Sequence, residues 1–108
     1  MNMTKTERGF DISQFTDRYG HKCSLQKSSL AGEDAIWFGI DDPEPQIMAS
    51  DARKLGIPTD EKYGWISFDI PKEVFLHTRM HLTQEMVRAL LPTLQRFAET
   101  GELGGEDV

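Results

Sequence analysis

Between Thr83 and Gly101 the apolar residues Val87, Leu90, Leu91, Leu94 and Phe97 return at the 3.6-residue period and form one stripe along a helix. Thr83 is a good N-cap, and Glu85 puts a negative charge in the first turn, where the helix dipole favours it. Leu82 and Val87 have the spacing of a hydrophobic staple around that cap. Gly101 is a natural stop. Pro92 sits inside the pattern, removes the bond to the carbonyl of Arg88 and predicts a kink, at a cost of about 3 kcal/mol where nothing accommodates it. Arg88 lies on the polar side, so water satisfies that carbonyl and the bend lets the helix wrap over a twisted sheet. Such a helix must bury its stripe on something, and the preceding residues read as strands.

Phe10 to Thr16 begins an extended segment, and Asp17-Arg18-Tyr19-Gly20 is a turn. Asp bonds the backbone two residues on, and Gly tolerates positive φ. From His21 to Ser28 the pattern alternates strictly, with Cys23 and Leu25 on one side and Lys22, Ser24, Gln26 and Ser28 on the other. The pair reads as a β-hairpin. Ala35 to Ile40 is a compact run of β-formers and predicts a central strand, ended by Asp41-Asp42-Pro43-Glu44-Pro45. Residues 46–62 allow a short helix over Gln46–Leu55 stopped by Gly56, or a long irregular loop. Gly64 to Ile70 alternates as a strand, and Pro71-Lys72-Glu73 is a turn. From Glu73 to Leu82 an extended reading sends Val74, Leu76, Thr78, Met80 and Leu82 one way and Phe75, His77, Arg79 and His81 the other. A helix gathers no apolar stripe there, so a strand is preferred. The fold class expected is α+β: a small antiparallel β-sheet with one C-terminal amphipathic α-helix packed on it. Residues 1–9 read as a flexible leader, 10–101 as a single domain and 102–108 as a flexible acidic tail.

A chain of 108 residues suffices for one core. Its net charge of −6 repels phosphate backbones and anionic lipid, which disfavours nucleic acid and membrane surfaces as partners. The single cysteine, Cys23, can close no internal disulfide and build no cysteine zinc site alone. That fits a reducing compartment. The polar N-terminal residues predict no secretory signal, and no apolar run approaches the ~20 residues of a membrane span. The cytoplasm is the expected location.

Chemistry has few footholds. On a strand His77 and His81 stand about 13 Å apart and cannot share one ion, and H-E-x-x-H is absent, so no metal is expected. No G-x-S-x-G elbow, P-loop, G-x-G-x-x-G or calcium loop occurs, so no cofactor is expected either. Cys23 falls on the apolar side of its strand, where a thiol is usually inert. Asp41, Asp42 and Glu44 form an acidic cluster that reads as a solvated loop, the alternatives being a divalent-ion site or a mimic of a phosphate backbone toward a basic partner. The strand reading instead places His77, Arg79 and His81 on one face. Arg79 offers a planar fork suited to carboxylate or phosphate, His81 adds a donor, and Gln26, Ser28 and Ser29 can join from the second strand. The competing reading is an ordinary solvated sheet face. Trp37 points away from Ile36 and Phe38, and either supplies apolar contact at an interface or lies under the 46–62 segment.

Three blocks carry a resemblance: Phe15 to Gly20 continuing through Cys23 to Ala31; Ala35-Ile36-Trp37-Phe38-Gly39; and Arg79-Met80-His81-Leu82-Thr83 followed by Val87, Leu90-Leu91-Pro92, Leu94, Phe97 and Gly101. Together, over about Phe10 to Leu103, the chain resembles a family of small accessory proteins of bacteriophages and prophages. The resemblance implies a setting rather than a reaction. It leads us to expect a non-enzymatic binding protein that engages a host protein or sequesters a small anionic, nucleotide-like ligand, including in counter-defence. Gln26, Ser28, Ser29, Trp37, Arg79 and His81 are the expected contact residues. A homodimer is expected because a small sheet exposes edges and a Trp. The alternatives are a small hydrolase using His81 with a serine, and a structural virion or assembly component.

Overall fold

The computed structural model describes residues 2–104. The chain divides into two compact units, one comprising the residues up to Asp41 and from Arg79 onward, the other Asp42–Thr78.

The first unit is α+β. Its antiparallel sheet runs in the order β1-β2-β3-β4-β7, from β1 (Met3–Lys5), β2 (Asp11–Thr16), β3 (Lys22–Lys27), β4 (Ala35–Ile40) and β7 (Arg79–Thr83). Ala35–Ile40 is central as expected, between β3 and β7. The β2–β3 turn follows from its residues. The Asp17 carboxylate accepts the backbone N–H of Tyr19 and of His21, both at 2.9 Å, and Gly20 takes φ 83°. β1 forms within the residues read as a leader. Thr6 and Gly9 close a turn with φ 85° at Gly9, Thr4 pairs with Ile12, and Lys5 meets Asp11 as an ion pair.

β7 is shorter than the sequence predicts, because Arg79 pairs with Gly39 and β4 ends one residue later at Ile40. The prolines that follow give Thr78 and its predecessors no ladder partner on that side. Val74 N–H instead bonds Pro71 O at 3.0 Å in a turn, and 74–78 are not strand. His77 therefore does not share a strand face with Arg79 and His81. Its ring meets Phe75 edge-on at 4.7 Å.

The register sorts the sheet into two faces. Ile12, Gln26, Trp37 and His81 form one cross-strand row, and Gln14, Ser24, Gly39 and Arg79 the next on the same side. Ser13, Leu25, Phe38 and Met80 lie on the other side with Phe15, Cys23 and Ile40. Phe15 and Phe38 tilt together at 6.0 Å.

α2 (Gln84–Thr100) starts where β7 ends, packs against that strand and runs unbroken through Pro92. Thr83 Oγ1 accepts from the N–H of Met86 at 3.2 Å, and Gly101 caps the other end at φ 79°. Val87 joins Ile36 and Leu82 in lining a hollow beside Ala35. Beyond that turn the stripe is open, and α2 buries no residue.

The second unit contains β5 (Gln46–Met48) paired antiparallel with β6 (Trp65–Ser67), and α1 (Ala49–Lys54). Both readings of 46–62 were incomplete: Gln46–Met48 go to a strand, and the helix that follows stops at Gly56, φ 76°. Gly56 N–H bonds Arg53 O and Ile57 N–H bonds Ala52 O, which satisfies the last carbonyls of α1. Ala49 and Ala52 are fully buried. β6 is shorter than the predicted Gly64–Ile70 because β5 offers three partners, Phe68 N–H then turning to Pro45 O. Among the described residues no helix is long and apolar enough to cross a membrane.

Two consequences are measurable. Ser13 is fully buried in the apolar rows, and its Oγ has no hydrogen-bond partner among the described residues. Ser13→Ala removes that desolvated hydroxyl and should raise stability by about 1 kcal/mol in urea titrations. The Asp17 pKa is held below its ordinary 3.8 mainly by the His21 backbone N–H, with help from the His21 ring and the Tyr19 N–H. The unfolded chain therefore takes up this proton first, so the contribution is present above pH 3.8 and fades as pH falls below it. Asp17→Asn should flatten the loss of stability between pH 6 and pH 3 relative to the parent.

Candidate functional site

The site is built on the polar face of the first unit, where β3, β4 and β7 lie side by side. Position 39 is the key to its geometry. Gly39 stands between Ser24 and Arg79 in their cross-strand row and presents no side chain. The Arg79 guanidinium crosses that gap to β3, where Nη1 donates to Gln26 Oε1 at 2.7 Å and to Ser24 Oγ at 3.3 Å. Ser24 is fully buried and in turn donates to Asp41 Oδ1 at 2.5 Å. An arginine two strands away is thereby tied through a hydroxyl to a carboxylate it does not touch.

The neighbouring row holds the aromatic part. The Trp37 and His81 rings stack at 3.9 Å between centroids and 7° between planes. The Arg79 guanidinium carbon lies 5.6 Å from the Trp37 ring centre, within cation–π range. His81 Nε2 and Ser28 Oγ are 2.9 Å apart. Ser28 is 5% exposed, and its Oγ also accepts the N–H of Leu30 at 3.3 Å. The structure thus joins Gln26, Ser28, Trp37, Arg79 and His81 in one contiguous cluster. Ser29 is not bonded into it. It is exposed and lines a groove of about 290 Å³ with Gln26, Lys27, Trp37, Arg8 and Phe10.

Nη1 of Arg79 is the engaged nitrogen. Among the described residues, Nε and Nη2 meet no acceptor, and no carboxylate pairs with the guanidinium directly. Arg79 is half-buried, which weakens competition from water for those donors. The arrangement can accept a carboxylate or phosphate in the plane of the fork, next to a flat aromatic pair.

Three contributors were missed in the sequence. Ser24 was placed on the correct side of its strand but given no role. Gly39 carried a signal, since a glycine inside a strand marks a close approach. Arg8 was assigned to the leader, although the β1–β2 turn brings it to the groove beside Trp37, its guanidinium 5.8 Å from the Phe10 ring.

Cys23 sits on the opposite face, 4% exposed. Burial pushes its thiol pKa up, and the Asp17 and Asp41 carboxylates add to that. Among the described residues, no group of three His, Cys, Asp or Glu side chains is placed to hold a metal ion. No protein-family model, curated protein or solved structure matches the chain.

Gly39 adopts φ 148°, a conformation side chains avoid, so any substitution strains the strand as well as filling the gap. Gly39→Val should displace Arg79 from Ser24 and Gln26. The Arg79 guanidinium resonances in NMR spectra should lose their dispersion, and stability should fall by about 1–3 kcal/mol.

Proposed function

We propose that this protein is a non-enzymatic bacteriophage or prophage accessory protein that binds a small anionic ligand with a planar group. The reading rests on one observation: among the described residues, Arg79 is hydrogen-bonded through its Nη1 alone, beside the stacked Trp37–His81 pair, with Nε and Nη2 left for an acceptor. An anion takes the fork, and a base or other flat ring lies toward Trp37 and the adjoining groove. Arg8 lines that groove and adds positive potential to a chain of net charge −6, whereas the Lys27 ammonium beside it is paired with Asp34 at 2.6 Å. Glu7 lines it too, and disfavours ligands carrying anionic charge along their whole length. Sequestration of a phosphorylated host signal, and so counter-defence, is the role this chemistry suits. A host protein presenting an acidic side chain is the related partner, and the host cytoplasm is the compartment in which either is met.

A hydrolase is the second reading, favoured by the 2.9 Å approach of His81 Nε2 to Ser28 Oγ. Two features weigh against it. Ser28 is buried, and among the described residues no carboxylate orients the His81 ring.

Calorimetry with a panel of nucleoside mono-, di- and triphosphates and cyclic dinucleotides tests the binding reading, with ester substrates run alongside. At least one panel member should bind stoichiometrically without product. Arg79→Lys keeps the charge but loses the fork and should weaken binding at least tenfold. Trp37→Ala should weaken it further, and Ser28→Ala should leave it within a few fold. Turnover abolished by Ser28→Ala would instead establish the hydrolase, and no binding across the panel would overturn the small-ligand reading.

A further inference from the structure

The apolar stripe of α2 has no cover along most of its length. Met86, Leu90, Leu91, Leu94 and Phe97 are 51%, 43%, 55%, 52% and 54% exposed. In a 17-residue helix that buries no residue, this is a continuous patch rather than scattered surface hydrophobes. We propose that it is the interface with a second copy of this chain, the two α2 helices packing antiparallel about a two-fold axis.

The pattern fits that occupant. Val87, Leu90, Leu94 and Phe97 are spaced three, four and three residues apart, the seam of two helices packed side by side. An antiparallel pair centred at residue 92 sets Val87 against Phe97 and Leu90 against Leu94, so a small side chain faces a large one twice over. The same patch then serves both copies, which a two-fold contact requires. Leu91 and Met86 flank the seam. Arg88, Gln95, Arg96 and Glu99 lie off it, and so does Pro92, whose missing N–H then faces outward rather than into the contact.

The area is sufficient. The five exposed side chains present roughly 500 Å² per chain, so two copies have about 1,000 Å² to bury from these groups alone, the threshold for a specific interface. The patch belongs to a single element capped at both ends, Thr83 at one and Gly101 at the other, so it is formed before association. This assignment is independent of the ligand site, which uses other residues.

Light scattering coupled to gel filtration at 10–100 μM tests it on the full chain. The parent should run at twice the chain mass of 12.3 kDa. Leu94→Glu should be monomeric with an unchanged circular dichroism spectrum. A monomeric parent would overturn the proposal, as would a dimer that survives Leu94→Glu. Should Leu94→Glu fail to fold, crosslinking decides. Thr93→Cys, beside the seam near the axis, should form a disulfide-linked dimer on mild oxidation, whereas Arg88→Cys on the outer face should not. Equal crosslinking of the two, or none with Thr93→Cys, overturns it.

Discussion

A β-sheet brings chemistry together across strands, and the reach of any side chain is limited by what stands on the strand between. The polar face of this sheet depends on that limit being lifted at one position. Gly39 leaves a lane across β4, and Arg79 uses it to reach Ser24 and Gln26 on β3. A side chain at 39 would turn the guanidinium outward into water. Of the guanidinium nitrogens it is Nη1 that makes both bonds. Ser24 completes the arrangement, because a hydroxyl can accept from arginine and donate to Asp41 at once. The positive charge is balanced at one remove, with no direct carboxylate among the described residues to close the fork.

Much of this is legible in the sequence alone. Strict alternation from His21 to Ser28 gave the facing of Gln26 and Ser28, since a period of two leaves no freedom once Cys23 and Leu25 go inward. The Asp17–Gly20 turn and the Thr83 and Gly101 caps are local chemistry, readable from a few adjacent residues. Where the reading failed, the deciding partner was distant. Residues 74–78 alternate as well as any strand, but alternation cannot say that β4 ends at Ile40. Met3–Lys5 looked featureless because a short edge strand needs little more than a neighbour to pair with. Gln46–Met48 are strand because Trp65–Ser67 lie beside them, which no window of the sequence displays.

The periodicity of α2 was the clearest signal in the chain, yet it located the apolar stripe without saying what covers it. A 3.6-residue repeat reports that one side of a helix avoids water. It is silent on whether the shelter comes from the same chain. Val87 lines a hollow with Ile36 and Leu82, and the four residues of the stripe beyond it are exposed.

Asp42–Thr78 is inserted between β4 and β7, two strands that pair directly. The contacts made by Arg79 and His81 therefore span 53 to 55 residues of sequence, against the short separations of the β2–β3 hairpin. Closing so wide a loop carries an entropy cost that grows only slowly with its length, but the contacts that offset it come from a single five-residue edge strand. The two hairpins that join β2, β3 and β4 can assemble without it. The polar face is thus completed by a strand whose pairing closes over the whole insert, so fraying at that edge would part Arg79 and His81 from Ser24, Gln26 and Ser28 while the β2–β3–β4 hairpins stay paired.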